Sequence, residues 1–325
     1  MGNCLASFGF SSTSVERNNE SRPTPCLKSY SFEDLKTATR KFHPDNLIEK
    51  DGDYLVFKGW IEEQTLSPST PETGMGVAVK ILELEGFPDH DEWLTKLNYV
   101  GQLHHPNLVK LIGYCLDGKH RILVSEFSGN GSLEHRLTRR VGTRPLSWET
   151  RMKVAIGVAK GLSFLHGAES QVVYRYLDAS NILLDDEFNA KLSAYLSTRI
   201  MDIQGYATQG YPATEYVDTV VAPGCVSEKS DVYCFGVLLR ALSTGQPAVT
   251  QSMIDEQNRL DCVMCFQKSV QIMDTNMEKD DYPRKAVVAV AALASQCTYL
   301  NPSLRPKMSE VLQKLQKVVS PPKCI

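Results

Sequence analysis

The chain has 325 residues, 42% of them hydrophobic, and a formal net charge of −3. That length and apolar content allow one large domain or two lobes with a sizeable core, while the charge excludes the strongly basic balance of a nucleic-acid binder. Apolar runs of about 18 residues are missing, which argues against a transmembrane helix, no secretory h-region follows Met1, and nine scattered cysteines fit a reducing compartment better than a disulfide framework.

Residues 1–29 are rich in Ser, Asn, Thr and Pro, show no hydrophobic period, and are expected to form a disordered tail. The tail opens with MGNC. Gly2 suits N-myristoylation and Cys4 palmitoylation, although Ala6 stands where that signal usually carries Ser or Thr. One myristoyl chain gives only marginal membrane affinity, and without a dense basic cluster Cys4 is the natural second anchor. From these residues alone an ordinary free tail reads equally well.

Residues 30–128 are expected to form a small β-rich lobe. Tyr30 to Phe42 reads as an amphipathic helix with Ser31 as N-cap, Asp34 at the third helical position, and Phe32, Leu35 and Ala38 on one face; Pro44 ends it. Tyr54 to Ile61 and Val77 to Leu84 read as strands, separated by a polar loop holding Pro68 and Pro71. Glu92 to Leu103 has helical spacing, and Asn107 to Cys115 and Arg121 to Phe127 are strand candidates. Residues 129–318 change character. Trp148 to His166, with Ser147 as N-cap, Ser230 to Thr244, Arg284 to Cys297 and Met308 to Val318 all read as helices, and 319–325 form a short C-terminal tail. The fold class is therefore α+β, with a β-rich first lobe and a helical second one. Cys262 and Cys265 make a lone C-x-x-C; with no second pair at zinc-finger spacing, packing is the better reading.

Several stretches carry chemistry only as an ordered set. VAVK, Val77 to Lys80, resembles the strand of protein kinases whose Lys pairs with ATP phosphates. VVYRYLDASN, Val172 to Asn181, resembles their catalytic loop, H-R-D-L-x-x-x-N, with Arg175 and Asn181 in place. HHPNLVKLIGYC follows the regulatory helix, SDVYCFGVLL resembles the central helix of the large lobe, and RPKMSEVL the last one. Their order and spacing resemble a bilobal eukaryotic protein kinase. GYC, YR in the catalytic loop, ASNILLD, KSDVY and the MGNC start make the likeness nearest to the plant receptor-like cytoplasmic kinases, from about Tyr30 to Val318. The resemblance implies Ser/Thr phosphotransfer from ATP, lipid anchoring at the cytoplasmic face of the plasma membrane, and partners among receptor kinases, other kinases or immune receptors in immunity and development. It also implies that Asp231 hydrogen-bonds the catalytic-loop backbone and that Arg305 pairs with Glu215.

The departures from the pattern fall on the chemistry. The catalytic Asp, which takes the proton from the substrate hydroxyl, is Tyr176, whose phenol titrates near 10. Asp178 replaces the Lys that neutralises the transferring phosphate. The magnesium-binding Asp is Ala194, which offers no ligand atom, and Asn181 alone cannot complete a near-octahedral site. The regulatory-helix Glu becomes Lys96, so that like charges would face each other at Lys80; the helix is expected to sit outward, or Lys80 to find another acid. The glycine-loop positions fall at Glu49, Asp51 and Tyr54, where side chains and carboxylates oppose the close approach of phosphates. Ser125 precedes the hinge. The activation segment fits two registers, Gly205-Tyr206-Ala207 and Gly210-Tyr211-Pro212, and holds Ser197, Thr198 and Thr208 as candidate phosphosites. Lys80 and Asn181 are the retained ATP-site residues, no metal is assigned, and ATP is expected to bind weakly. The expectation is a catalytically inactive scaffold, decoy or allosteric partner tethered to the membrane. Two alternatives stay open: a Ser/Thr kinase with residual or atypical activity, and a nucleotide switch that works without metal.

Overall fold

A computed structural model describes residues 27–51, 54–82, 90–118, 120–138, 145–167, 172–175, 177–193, 227–244 and 283–319. Gly2, Cys4, Tyr176, Ala194, Glu215, both activation-segment registers with their hydroxyls, and Cys262 and Cys265 lie outside the described residues. The side chain of Lys96 does too, although its backbone is helical.

The first lobe is a six-stranded sheet. Its strands are β1 (Lys28–Ser29), β2 (Leu47–Asp51), β3 (Tyr54–Ile61), β4 (Met75–Leu82), β5 (Leu111–Cys115) and β6 (Arg121–Glu126), in spatial order β1-β5-β6-β4-β3-β2. The strand alternation gives the sheet two working faces. Val77 and Val79 of β4 and Ile122 and Val124 of β6 are buried with Leu35 and Ala38 of helix α1 (Phe32–Ala38). Leu82, Leu111 and Leu123 face the other way, into the core shared with Trp93, Leu97 and Val100 of helix α2 (His90–Gly101) and with the second lobe. Lys80 lies between Val79 and Leu82 on β4 and is half-buried on this second face, which is the cleft face.

Helix α1 starts as its sequence predicts. The Ser31 hydroxyl accepts from the Asp34 amide at 3.1 Å, and the Asp34 carboxylate accepts from the Ser31 amide at 2.9 Å, a closed capping box. It stops at Ala38, short of Phe42 and well before Pro44. Thr39 explains the difference: its hydroxyl donates to the Leu35 carbonyl at 2.7 Å and accepts from the Phe42 amide at 3.1 Å, competing with helical bonding. Arg40, Lys41 and Phe42 then adopt left-handed backbone, which returns the Phe42 ring to within 5.5 Å of Phe32 and 5.3 Å of Phe57.

Lys28 and Ser29, which composition placed in the tail, pair in parallel with Gly113 and Tyr114 of β5. A two-residue strand carries no period to detect, and what holds it is tertiary: Tyr30 is buried and its amide donates to the Tyr114 carbonyl at 2.8 Å. Gly113 makes this approach feasible, because a Cβ there would sit 2.3 Å from the Lys28 carbonyl oxygen. The β2 strand and the hairpin of β7 (Ile182–Leu184) with β8 (Ala190–Leu192) were likewise not singled out in the sequence.

In the second lobe, α4 (Trp148–Leu165) and α5 (Glu228–Thr244) are buried around most of their circumference, as expected of helices inside a core. Ser147 caps α4 by accepting from the Thr150 amide at 3.2 Å. Arg151 is fully buried on α4 yet satisfied, donating to the Leu146 carbonyl at 2.8 Å and the Leu242 carbonyl at 2.9 Å. A short helix α3 (Leu133–Leu137) follows the hinge, and α6 (Arg284–Cys297) and α7 (Met308–Val319) close the lobe, α7 through Met308, Val311 and Leu315 on one face.

Candidate functional site

The cleft between the lobes is built from β2, β3, β4, the hinge after β6, α3 and the loop that follows α4. The loop is fixed by one carboxylate. Asp231, in the first turn of α5 and fully buried, accepts from the Tyr174 amide at 2.7 Å and the Arg175 amide at 2.8 Å, and lies 2.8 Å from His166 Nε2. The loop backbone is drawn tight enough that Arg175 takes a φ of 69°. Asn181 braces the same loop through its main chain: its carbonyl accepts from the Ser193 amide and hydroxyl, each at 3.0 Å.

Asp178 is not aimed as a free base. Its Oδ1 accepts from the Ser180 amide and the Ser180 hydroxyl, both at 2.8 Å, and so caps the short turn Ala179–Asn181. Its charge is nonetheless felt across the cleft. Burial raises the pKa of Glu134 on α3 above the ordinary carboxylate range, and the neighbouring charges of Asp178 and Glu49 raise it further. Acids of β2 and the loop are thus near enough to act on the one on α3.

Lys80 is placed by the register of β3 and β4, in which Val56 stands opposite it. Tyr54 is two residues before Val56, on the same face, and its ring centre lies 3.6 Å from Lys80 Nζ. That is a cation–π contact, and it occupies the side of the ammonium turned toward the ring. The Tyr54 hydroxyl donates to Glu49 Oε1 at 2.8 Å. Whether Lys96 faces Lys80 lies outside the described side chains. Behind the hinge, Glu126 accepts from Lys191 at 2.9 Å and from the Lys110 amide at 2.8 Å, and Ser125 pairs with Ala78 across β4 and β6.

Arg305 is fully buried below the cleft. It donates to the carbonyls of Tyr299 at 2.7 Å and Lys229 at 2.9 Å, and its guanidinium lies 4.9 Å from the centre of the Tyr233 ring. Its expected partner Glu215 is outside the described residues. Among the described residues no group of three His, Cys, Asp or Glu side chains could hold a metal.

The sequence had marked Tyr54 only as a lost glycine. The signal that would have found its contact is the strand register, which puts positions 54 and 80 on one face within diagonal reach. His166 carried no signal, since its link to Asp231 spans 65 residues.

The chain matches the model of the family described as protein tyrosine and serine/threonine kinase over residues 55–315. Among curated proteins of Arabidopsis thaliana it is 49% identical to the probable serine/threonine-protein kinase PBL3, over 91% of this chain and 71% of that one. It is 46% identical to the probable serine/threonine-protein kinase PBL18, over 97% and 83%, and 44% identical to the serine/threonine-protein kinase BIK1, over 90% and 76%.

Proposed function

The chain belongs to the protein tyrosine and serine/threonine kinase family, and we propose that within it this protein keeps the fold and has given up phosphotransfer. It works as a scaffold, decoy or allosteric partner for other kinases. The observation that carries the reading is the division between frame and chemistry. Asp231 still holds the loop backbone at the amides of Tyr174 and Arg175. The position that needs a carboxylate base is Tyr176, and the one that needs a metal ligand is Ala194. A missing general base alone typically lowers rate by about 10² to 10⁴. The remaining losses act on the same transition state, so they deepen the defect without multiplying.

The residues present do not suit a magnesium triphosphate. Lys80 carries an aromatic ring on one side, Asp178 brings an acid where the pattern has a Lys, and Glu49 and Glu134 add charge of the wrong sign nearby. The names of the relatives favour the alternative, an active Ser/Thr kinase, and one assay decides between them. The purified chain is incubated with labelled ATP and magnesium or manganese, with itself and a basic protein as acceptors. No transfer above the level of a Lys80→Met, Asn181→Ala double variant is expected. Transfer that the double variant abolishes refutes the reading.

The same proposal places the protein at the cytoplasmic face of the plasma membrane through lipids on Gly2 and Cys4. Gly2→Ala is expected to move it to the soluble fraction of plant cells. Unchanged membrane association of that variant removes the lipid anchor from the proposal.

A further inference from the structure

We propose that the Tyr54 ring is an internal occupant of the phosphate end of the cleft, seated on Lys80 in place of a nucleotide's anionic group and closing the site to triphosphates. The inference deepens the reading of an inactive kinase homologue by naming what refuses the nucleotide.

The geometry is a chain of contacts across three adjacent strands. Glu49 on β2 accepts from the Tyr54 hydroxyl at 2.8 Å. Tyr54, the first residue of β3, lays its ring 3.6 Å from the Lys80 ammonium on β4. The pairings Asp51 with Tyr54 and Val56 with Lys80 fix both ends. The ring is partly buried and packs against the main core, so it is held from below as well as at its hydroxyl. A Lys in this place serves a phosphate by presenting its charge to oxygen. Here one side of that ammonium is covered by the negative face of a ring.

Entry of a polyphosphate requires the ring to swing off Lys80 and its hydroxyl to leave Glu49. The incoming anion then meets the Glu49 carboxylate that the hydroxyl has left, with Asp178 and Glu134 adding acid charge from the loop and α3; burial raises the Glu134 pKa, and the charges of Asp178 and Glu49 raise it further. A ligand with the same base and sugar but no phosphate meets neither obstacle. The cleft therefore selects against the phosphate and not against the base.

The test compares ATP without metal and adenosine by calorimetric titration of the full chain. The proteins are the wild type, Tyr54→Thr, Tyr54→Gly and Tyr54→Phe. Thr suits a strand and keeps the measurement open should the glycine variant fail to fold; thermal melts identify that failure. Tyr54→Thr is expected to bind ATP at least tenfold more tightly than wild type, with adenosine affinity changed less than threefold. Tyr54→Phe retains the ring and is expected to stay close to wild type for both. Equal ATP affinity in wild type and Tyr54→Thr overturns the inference, as does an equal gain for adenosine, which would mean a general opening of the cleft. Phosphotransfer is read separately with magnesium: transfer by the wild type counts against the inactive reading, whereas the ATP comparison judges Tyr54 alone.

Discussion

Asp231 offers the sharpest test of the claim that the frame of the site is intact. Replacing it with Asn keeps size and shape but removes the charge and one acceptor. The carboxylate takes two backbone amides, at 2.7 and 2.8 Å, and stands 2.8 Å from His166 Nε2, all in a fully buried place. An Asn has one oxygen and one NH2 group. Whichever way it faces, the amide of Tyr174 or of Arg175 points at another donor. A hydrogen bond to a charged partner is worth about 1.5–3 kcal/mol, and a buried donor left unpaired costs about 1–3 kcal/mol. Since neighbouring terms overlap, the loss should be roughly 2–4 kcal/mol, a large part of the 5–15 kcal/mol that typically holds a domain. Urea unfolding followed by fluorescence measures it, and hydrogen exchange at the Tyr174 and Arg175 amides locates it. A loss below about 1 kcal/mol with both amides still protected would show that Asp231 does not hold the loop.

The other predictions concern the first lobe. Ser31→Ala opens the capping box of α1 and should lower stability by about 1 kcal/mol, read as a reduced urea midpoint at constant slope; no change would mean the cap is idle. Gly113→Ala puts a Cβ 2.3 Å from the Lys28 carbonyl oxygen and 2.6 Å from the Tyr30 ring, so β1 should detach. Limited proteolysis should then cut near Lys28 where the wild type resists, and equal resistance would refute the close packing. Tyr30 has its hydroxyl buried without a hydrogen-bond partner among the described residues, and burial, aided by the charge of Asp34, pushes its pKa up to about 12. The folded chain keeps this proton longer than the unfolded one, so its contribution to stability is full below pH 10 and fades as pH rises toward 12. Tyr30→Phe should leave neutral-pH stability within about 0.5 kcal/mol and flatten the decline between pH 10 and 12; an unchanged slope would refute the assignment.

What could be read from the sequence depended on how local its cause was. The helix Arg284–Cys297 and the strand Tyr54–Ile61 have the predicted bounds, because period and burial agree within each segment. The end of α1 was misplaced because it depends on the Thr39 hydroxyl choosing backbone partners on both sides. A Pro five residues later is the louder sequence signal and the weaker physical one. Strand β1 was hidden for the opposite reason. Nothing in Lys28 or Ser29 favours a strand, and the glycine that admits them is 84 residues away from Ser29 at position 113. In the cleft, departures from a motif could be located by counting, but not what the new side chains do. Asp178 read as a misplaced acid and is a turn cap. Tyr54 read as an obstruction and is a partner for Lys80.

Under the proposed reading, these two residues indicate how a chain that gives up phosphotransfer can keep its fold. In a nucleotide-binding cleft the Lys on β4 and the acids beneath it form a charge set completed by ligand and metal; without them, the set is a liability to the folded state. Here Lys80 has a ring on one side, and Asp178, which stands where the pattern has a Lys, is used within its own turn. The Lys80 charge rests on a ring, a contact worth about 0.5–2 kcal/mol depending on its desolvation. One oxygen of the Asp178 carboxylate accepts two hydrogen bonds from Ser180. Meanwhile the buried networks of Asp231, Arg151 and Arg305 run through backbone carbonyls and amides, and none of their described contacts reaches Tyr54 or Lys80. The networks that stabilise the second lobe are thus separate from the contact between Tyr54 and Lys80. A substitution at Tyr54 should change what the cleft binds while leaving the second lobe as stable as before, whereas a substitution at Asp231 should lower the stability of the second lobe itself.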